Sequence, residues 1–388
     1  MKRILSLLAL LTVCFWNTAF ASSEELIIGH SETLFSKTLN EKRQIMVSLP
    51  EGYGESDYSY PVLYFTDANV HFEIMASTVN FLQSSNIIPP IILVGIVNGP
   101  NRTRDLTPKV FSEKDLAHPW FQSVEFGGAS KFLTFVEHDL IPYIDKKYRT
   151  SKFKVLSGHS FGGLFSFYAY VNKPELFDGI MAISPSLAWD DERIINEAKL
   201  MIEDKSLPHK PLFISKGNEQ GTTITSYQSL KSLFENNSSY PMTSQEFPEE
   251  SHLTVVFDAQ YHGLKSIFNG WELPYSESAK GLDVVKAHNK KVKETYKIGF
   301  TSESWLINLG NSRYYKKDYD AAIEAYEHNI SLFPKYAYSY FQLAKTYEAM
   351  NEQKLAQMNY IKANDLVPAT HRFKSIYEAA VQKPTSAD

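Results

Sequence analysis

The chain has 388 residues, 43% of them hydrophobic and 21% charged, with a formal net charge of −5; that is room for about two domains with ordinary cores. A mildly acidic balance without any basic block speaks against nucleic acid as a partner. A single cysteine excludes a disulfide framework.

The first 21 residues stand apart. Lys2 and Arg3 precede an apolar stretch over residues 4–16, and Ala19-Phe20-Ala21 supplies a small-x-small cleavage site before Ser22. This predicts a secretory signal peptide at residues 1–21 and hence a periplasmic or secreted protein. A lipoprotein reading through Cys14 fits less well, because the bulky Val13 stands where a small residue is wanted. Cleavage would remove Cys14, Lys2 and Arg3 and take the formal charge to −7. No later run of ~18 apolar residues predicts a spanning helix.

Residues 22–274 alternate short apolar runs with amphipathic stretches. Residues 44–49, 62–66, 153–156, 179–183, 212–215 and 242–247 read as strands, with another inside 87–97 after Pro89-Pro90. Residues 131–148 carry apolar side chains at helical spacing, among them Phe132, Phe135, Val136, Leu140 and Ile144. Strands alternating with helices imply a mostly parallel sheet covered on both faces, an α/β domain. Residues 276–298 read as a linker helix within a connecting segment, 275–302. Beyond it a period of 34 pairs Leu309 with Leu343, Gly310 with Ala344, Ala322 with Ala356, Tyr326 with Tyr360 and Pro334 with Pro368. Small, aromatic and proline positions at that offset match a tetratricopeptide-like pattern. They predict a small all-α domain at 303–388, two repeats with a capping helix, as a surface for a protein partner or self-association.

The sharpest local signal is Gly158-His159-Ser160-Phe161-Gly162, between a strand and a helical stretch. Strand, tight turn and helix are the setting of a nucleophile elbow, which lifts a serine hydroxyl above the sheet edge in an α/β-hydrolase. Serine needs a base to take its proton, and in this fold acid and histidine follow the nucleophile in that order. Of the six later histidines, His288, His328 and His371 lie in the linker or repeats, and His209 precedes a strand. His262 falls inside a helical stretch. His252 follows the last strand in a loop and is the favoured base. Glu219, in the loop after residues 212–215, is the favoured acid, with Asp190, Asp191 and Asp258 as rivals. The oxyanion hole should use the backbone N–H of Phe161, the residue after the nucleophile, and of Ala68, in the loop after residues 62–66.

Pro61-Val62-Leu63-Tyr64-Phe65-Thr66-Asp67, Arg102-Thr103-Arg104-Asp105-Leu106-Thr107-Pro108, the elbow, Ser184-Pro185-Ser186-Leu187-Ala188-Trp189 and Glu250-Ser251-His252 resemble the putative-esterase family. Within it they are most similar to periplasmic trilactone-siderophore (enterobactin-type) esterases. The resemblance covers about two-thirds of the chain. It implies an α/β-hydrolase fold, ester cleavage through a serine acyl-enzyme, and Ser160 and His252 as catalytic residues. It also implies that a Ser–His pair can suffice without a strong acid. The repeat region departs from the minimal siderophore esterases. Arg104 and Asp105 suit a structural ion pair beneath the site, the favoured reading, while Arg102 and Arg104 are candidate substrate contacts. Trp189 either lines the pocket or packs beside it. No zinc, phosphate-loop or dinucleotide motif is present, so neither metal nor cofactor is expected. The expectation is a carboxylic-ester hydrolase acting on a siderophore ester, or else on an acetyl or aryl ester of a glycan. The rival from another class is a non-catalytic scaffold built around the repeats.

Overall fold

Eight strands form one twisted sheet in the computed structural model, which describes residues 27–55, 57–369, 371 and 373–382. The signal-peptide reading falls on residues 1–21, outside the described residues. The strands are β1 (His30–Ser36), β2 (Glu41–Ser48), β3 (Tyr60–Phe65), β4 (Ile92–Ile96), β5 (Thr150–His159), β6 (Gly179–Ile183), β7 (Leu212–Lys216) and β8 (Met242–Glu246). Their order across the sheet is β1-β2-β4-β3-β5-β6-β7-β8. β1 and β2 pair antiparallel, β2 runs antiparallel to β4, and every other pairing is parallel.

Burial explains this division. β3, β4, β6 and β7 are buried along their whole length, as parallel strands covered by helices on both faces must be. The helices Ala68–Ser84 and Val255–Ile267 pack together on one face, and Phe161–Asn172 lies on the other beside Arg193–Glu203. β1 was not anticipated. Its sequence is polar and only Leu34 and Ser36 are buried, the pattern of an edge strand with little apolar signal.

The helix expected over residues 131–148 runs from Ala129 to Lys147 through a widened π turn at Val136–Leu140. Pro142 stands two residues beyond it. Proline lacks an amide hydrogen and crowds the carbonyl four residues back, and a widened turn relieves both conflicts.

The C-terminal region differs from the expectation of a linker. Residues 276–298 form two helices, Tyr275–Ser278 and Leu282–Tyr296, and these do not merely connect. Val285, Val292, Tyr296, Phe300 and Trp305 belong to the same buried apolar cluster as the sheet. Four longer helices follow, Glu303–Tyr315, Tyr319–Leu332, Ala337–Ala349 and Gln353–Asp365, then a shorter one, Lys374–Val381. Of the residues paired at a spacing of 34, the small, leucine and tyrosine positions are buried, Tyr326 and Tyr360 among them, whereas Pro334 and Pro368 are exposed. At Gly310 an added Cβ would come within 2.3 Å of the Tyr326 ring, so only the smallest residue lets these two helices close. Asn329, which stands where the second unit has Ala363, is buried and donates to Ser339 Oγ at 2.9 Å.

Candidate active site

The chain reverses the direction in which it adds strands between β3 and β5. Neighbouring parallel strands there send their following helices to opposite faces, which opens a crevice at their carboxyl ends. Ser160 sits at that point, after the last residue of β5 and before Phe161–Asn172. Its backbone is at φ 60°, ψ −116°, a conformation that costs about 1–3 kcal/mol and persists only where its surroundings impose it. They do so here. Ser160 N–H donates to the Ile183 carbonyl at 2.9 Å, and the Ser160 carbonyl accepts from Leu164 and Ser186. A Cβ on Gly158 would lie 2.2 Å from the Gly162 carbonyl oxygen, and one on Gly162 would lie 2.2 Å from Thr66 Oγ1. Both motif glycines are required by close approach. The Ser160 hydroxyl lies 3.4 Å from Ser186 Oγ.

Two helix N-termini open side by side. Asp67, at φ 59°, starts Ala68–Ser84 as Ser160 starts its own helix. The amides of Ala68 and Phe161 are each the first of a helix and have no acceptor four residues back. Such amides carry the positive end of the helix dipole and suit a developing oxyanion. The turn around Ala68 is tied down twice: Asp67 N–H donates to Asn98 Oδ1 at 3.0 Å, and Arg102 grips the Asp67 carboxylate through Nε at 2.8 Å and Nη2 at 2.9 Å. The same guanidinium reaches the His159 carbonyl at 3.4 Å and lies 5.5 Å from the Phe161 ring centre.

His252 lies in the turn between β8 and Val255–Ile267. Its Nδ1 is 3.1 Å from Glu219 Oε1, which also accepts a hydrogen bond from the Ser184 hydroxyl. Burial pushes the Glu219 carboxyl up, but the hydrogen bonds from His252 and Ser184 outweigh it and hold the group below the usual glutamate range. An ionised carboxylate only accepts, so Nδ1 carries the hydrogen and Nε2 is left to take a proton. Two backbone bonds join the loops of Glu219 and His252: Asn218 N–H to the Glu250 carbonyl at 2.6 Å, and Phe247 N–H to the Lys216 carbonyl at 3.0 Å. Among the described residues no hydrogen bond joins Ser160 to His252. They are linked through His159, whose Nε2 lies 2.7 Å from the His252 carbonyl oxygen.

Asp190, Asp191, His262 and His209 have partners elsewhere. The Asp190 carboxylate accepts from the amides of Phe111 and Ser112 and pairs with Arg193, and Asp191 accepts from the Ser112 hydroxyl. His262 packs against Phe247 and Tyr261, and His209 stacks on Tyr240. Arg104 is held in an ion pair, with Nη2 2.8 Å from both Glu41 Oε1 and Asp105 Oδ1. Asp105 is buried and also pairs with Arg43. Trp189 is 8% exposed and donates its indole N–H to the Pro108 carbonyl at 3.0 Å. Its ring meets Phe121, Phe161 and Trp120 at 5.0, 5.4 and 6.1 Å. These aromatics border a cavity of about 430 Å³ that Lys114, Asp115 and His118 complete. Among the described residues no cluster of three or more His, Asp or Glu side chains is placed to hold a metal, and no helix is long and apolar enough to cross a membrane.

Sequence reasoning did not assign roles to Ser184, Ser186, His159 or His71, nor find the Asp67–Arg102 clamp. The pattern Ser184-Pro185-Ser186 was visible; the pairings were not, because the partners lie 26 or more residues apart.

A ferri-bacillibactin esterase of Bacillus subtilis, BesA, is 29% identical over 209 residues, 50% of this chain and 71% of that protein. A siderophore enterobactin esterase of Emericella nidulans is 32% identical over 209 residues, 46% of this chain and 65% of that one. The crystal structure of an IroE-like serine hydrolase from Shewanella oneidensis superposes with a TM-score of 0.65 at 28% identity, over 74% of this chain and 95% of its own. An uncharacterised protein from Capnocytophaga ochracea, 17% identical, shares the fold over 91% of this chain and 98% of its own, with a TM-score of 0.60. The uncovered part is far shorter than the helical extension, so the likeness in fold takes in much of that extension. Residues 36–252, more than half the chain, match the Putative esterase family. The chain belongs to that family and is an ester hydrolase.

Proposed function

We propose that the chain cleaves carboxylic esters through an acyl-enzyme on Ser160, with His252 as general base and Glu219 orienting it. The observation that carries this reading is the Glu219–His252 pair at 3.1 Å, stapled beside a serine in a strained turn. The Ser160 oxygen attacks the ester carbonyl carbon and its proton passes to His252 Nε2. The amides of Phe161 and Ala68 receive the oxyanion. Collapse breaks the bond to the alcohol, which leaves with the proton from His252. A water then attacks the acyl carbon, gives its proton to His252, and the acid departs as Ser160 recovers its own.

The substrate we propose is a siderophore ester. Two relatives are named for hydrolysing such esters, and the aromatic cavity beside Phe161 suits a flat acyl group, with Lys114 at its rim. We further propose that residues 1–21 export the protein, that 22–274 carry the chemistry, and that the helices beyond bind a partner or a second copy.

A chromogenic short-chain ester tests the mechanism. Wild type should turn over, and Ser160→Ala should lose roughly 10⁶-fold in kcat, as other serine nucleophiles do. Equal, negligible rates in both would favour a scaffold. Hydrolysis of siderophore trilactones against acylated sugars then tests the substrate.

A further inference from the structure

Three imidazoles stand in a row across the site. The His71 and His159 ring centres are 5.6 Å apart at 84°, and those of His159 and His252 are 4.7 Å apart at 42°. His159 is 6% exposed, and its Nε2 lies 2.7 Å from the His252 carbonyl oxygen. A carbonyl oxygen only accepts, so His159 donates from Nε2. The turn bearing His252 is braced internally, where Ser251 N–H donates to Thr254 Oγ1 at 2.9 Å and Thr254 N–H to Ser251 Oγ at 3.2 Å, and toward the Glu219 loop through Asn218 and Glu219. The carbonyl of His252 alone in that turn reaches the nucleophile's strand, and it does so at the residue preceding Ser160.

Building on the Ser160–His252 reading above, we propose that His159 is a positioning residue for the general base: it donates Nε2–H to the His252 carbonyl and so fixes the base relative to the nucleophile. The surroundings suit a permanent donor. Burial, with His252 beside it, pushes the His159 pKa down to about 3, and the nearby His71 and Arg102 act in the same direction. The groups facing His159 are therefore the His252 and His71 rings and the Arg102 guanidinium on its own carbonyl. Glu219 reaches it through His252, and Asp67 through Arg102 and His71. His159 stays neutral across the working range, and its hydrogen bond does not titrate away while His252 cycles its proton.

The test compares His159→Leu, which removes the donor, with His159→Gln, whose side-chain amide can still donate. A base displaced by about 1 Å costs about 100-fold, so His159→Leu should lose about 100-fold in kcat with KM near wild type. His159→Gln should recover most of that loss. A leucine variant at the wild-type rate, or a glutamine variant as impaired as leucine, overturns the proposal. If the leucine variant does not fold, ¹⁵N-imidazole spectra of the wild type decide. A neutral Nε2–H ring on residue 159 at pH 6 supports the proposal, and an Nδ1–H ring overturns it. Ser160→Ala is measured alongside. Activity there removes the underlying mechanism and this role with it, whereas a dead Ser160→Ala with a fully active His159→Leu removes this role alone.

Discussion

At the scale of single residues, the site separates what a motif can carry from what it cannot. Ser160 was legible because the elbow constrains neighbours: Gly158 and Gly162 are close-approach positions that leave a mark in the sequence. His252 and Glu219 could be reached by elimination, since chain order narrows the choice to loops after late strands. The Ser184 hydrogen bond to Glu219 spans 35 residues and the His159 contact spans 93, and no local pattern announces either. Glu219 invites a direct test. In Glu219→Gln the amide can donate to Nδ1 and so favour the tautomer in which Nε2 carries the hydrogen and cannot act as base. By the precedent of an acid-to-amide change in a serine triad, kcat should fall by about 10²- to 10⁴-fold with little change in KM. A loss of less than about threefold would mean that Ser160 and His252 work as a pair and that Glu219 only braces the loop.

Among secondary-structure elements, buried strands were readable and the edge was not. β3, β4, β6 and β7 are continuously apolar because both faces are covered, whereas β1 presents His30, Glu32 and Thr33 to its surroundings. β1 is secured by polar contacts that periodicity does not encode. The Glu32 carboxylate accepts from Tyr143 at 2.6 Å and from Tyr148, and pairs with Lys147 at 2.7 Å and His30 at 2.8 Å. Burial alone would raise its pKa; Lys147, the two tyrosines and His30 outweigh that and bring it down to about 2. A carboxylate with a depressed folded-state pKa stabilises fully above its unfolded value, and that contribution is lost as pH falls through the folded value. Glu32→Gln should therefore cost about 1–3 kcal/mol at pH 7, seen as a lower denaturant midpoint. The gap between variant and wild type should narrow from near pH 4.5 downward and close near pH 2. A gap constant across that range would show that the pins act through shape and not charge.

Across the whole molecule, the helical extension and the edge that bears Ser160 lie at opposite ends of the sheet. The extension meets strands where they begin: Phe300 packs on Tyr60 at 5.4 Å, Tyr296 on Phe153 at 5.3 Å, and Lys297 pairs with Asp178, just before β6, at 2.6 Å. Ser160, His252 and Glu219 follow strand ends. The 34-residue period in the sequence disclosed the helices, but not that the first of them complete the hydrolase core, because periodicity describes an element's own face and not its partner. Trp305 is fully buried, 5.1 Å from Trp271 and 4.6 Å from His288 between ring centres. Truncating a large buried aromatic to alanine costs about 3–5 kcal/mol, so Trp305→Ala should lower the melting temperature of the whole hydrolase by several degrees. Its kcat/KM at 25 °C, per folded molecule, should stay near wild type, since nothing at the carboxyl edge touches that side chain. A chain ending at Pro274 removes Tyr296, Phe300 and Trp305 together and should be recovered as aggregate or melt far below the full chain. A soluble 22–274 fragment with wild-type melting would show instead that the sheet closes its core unaided, and that the first helices of the extension rest on a surface already complete.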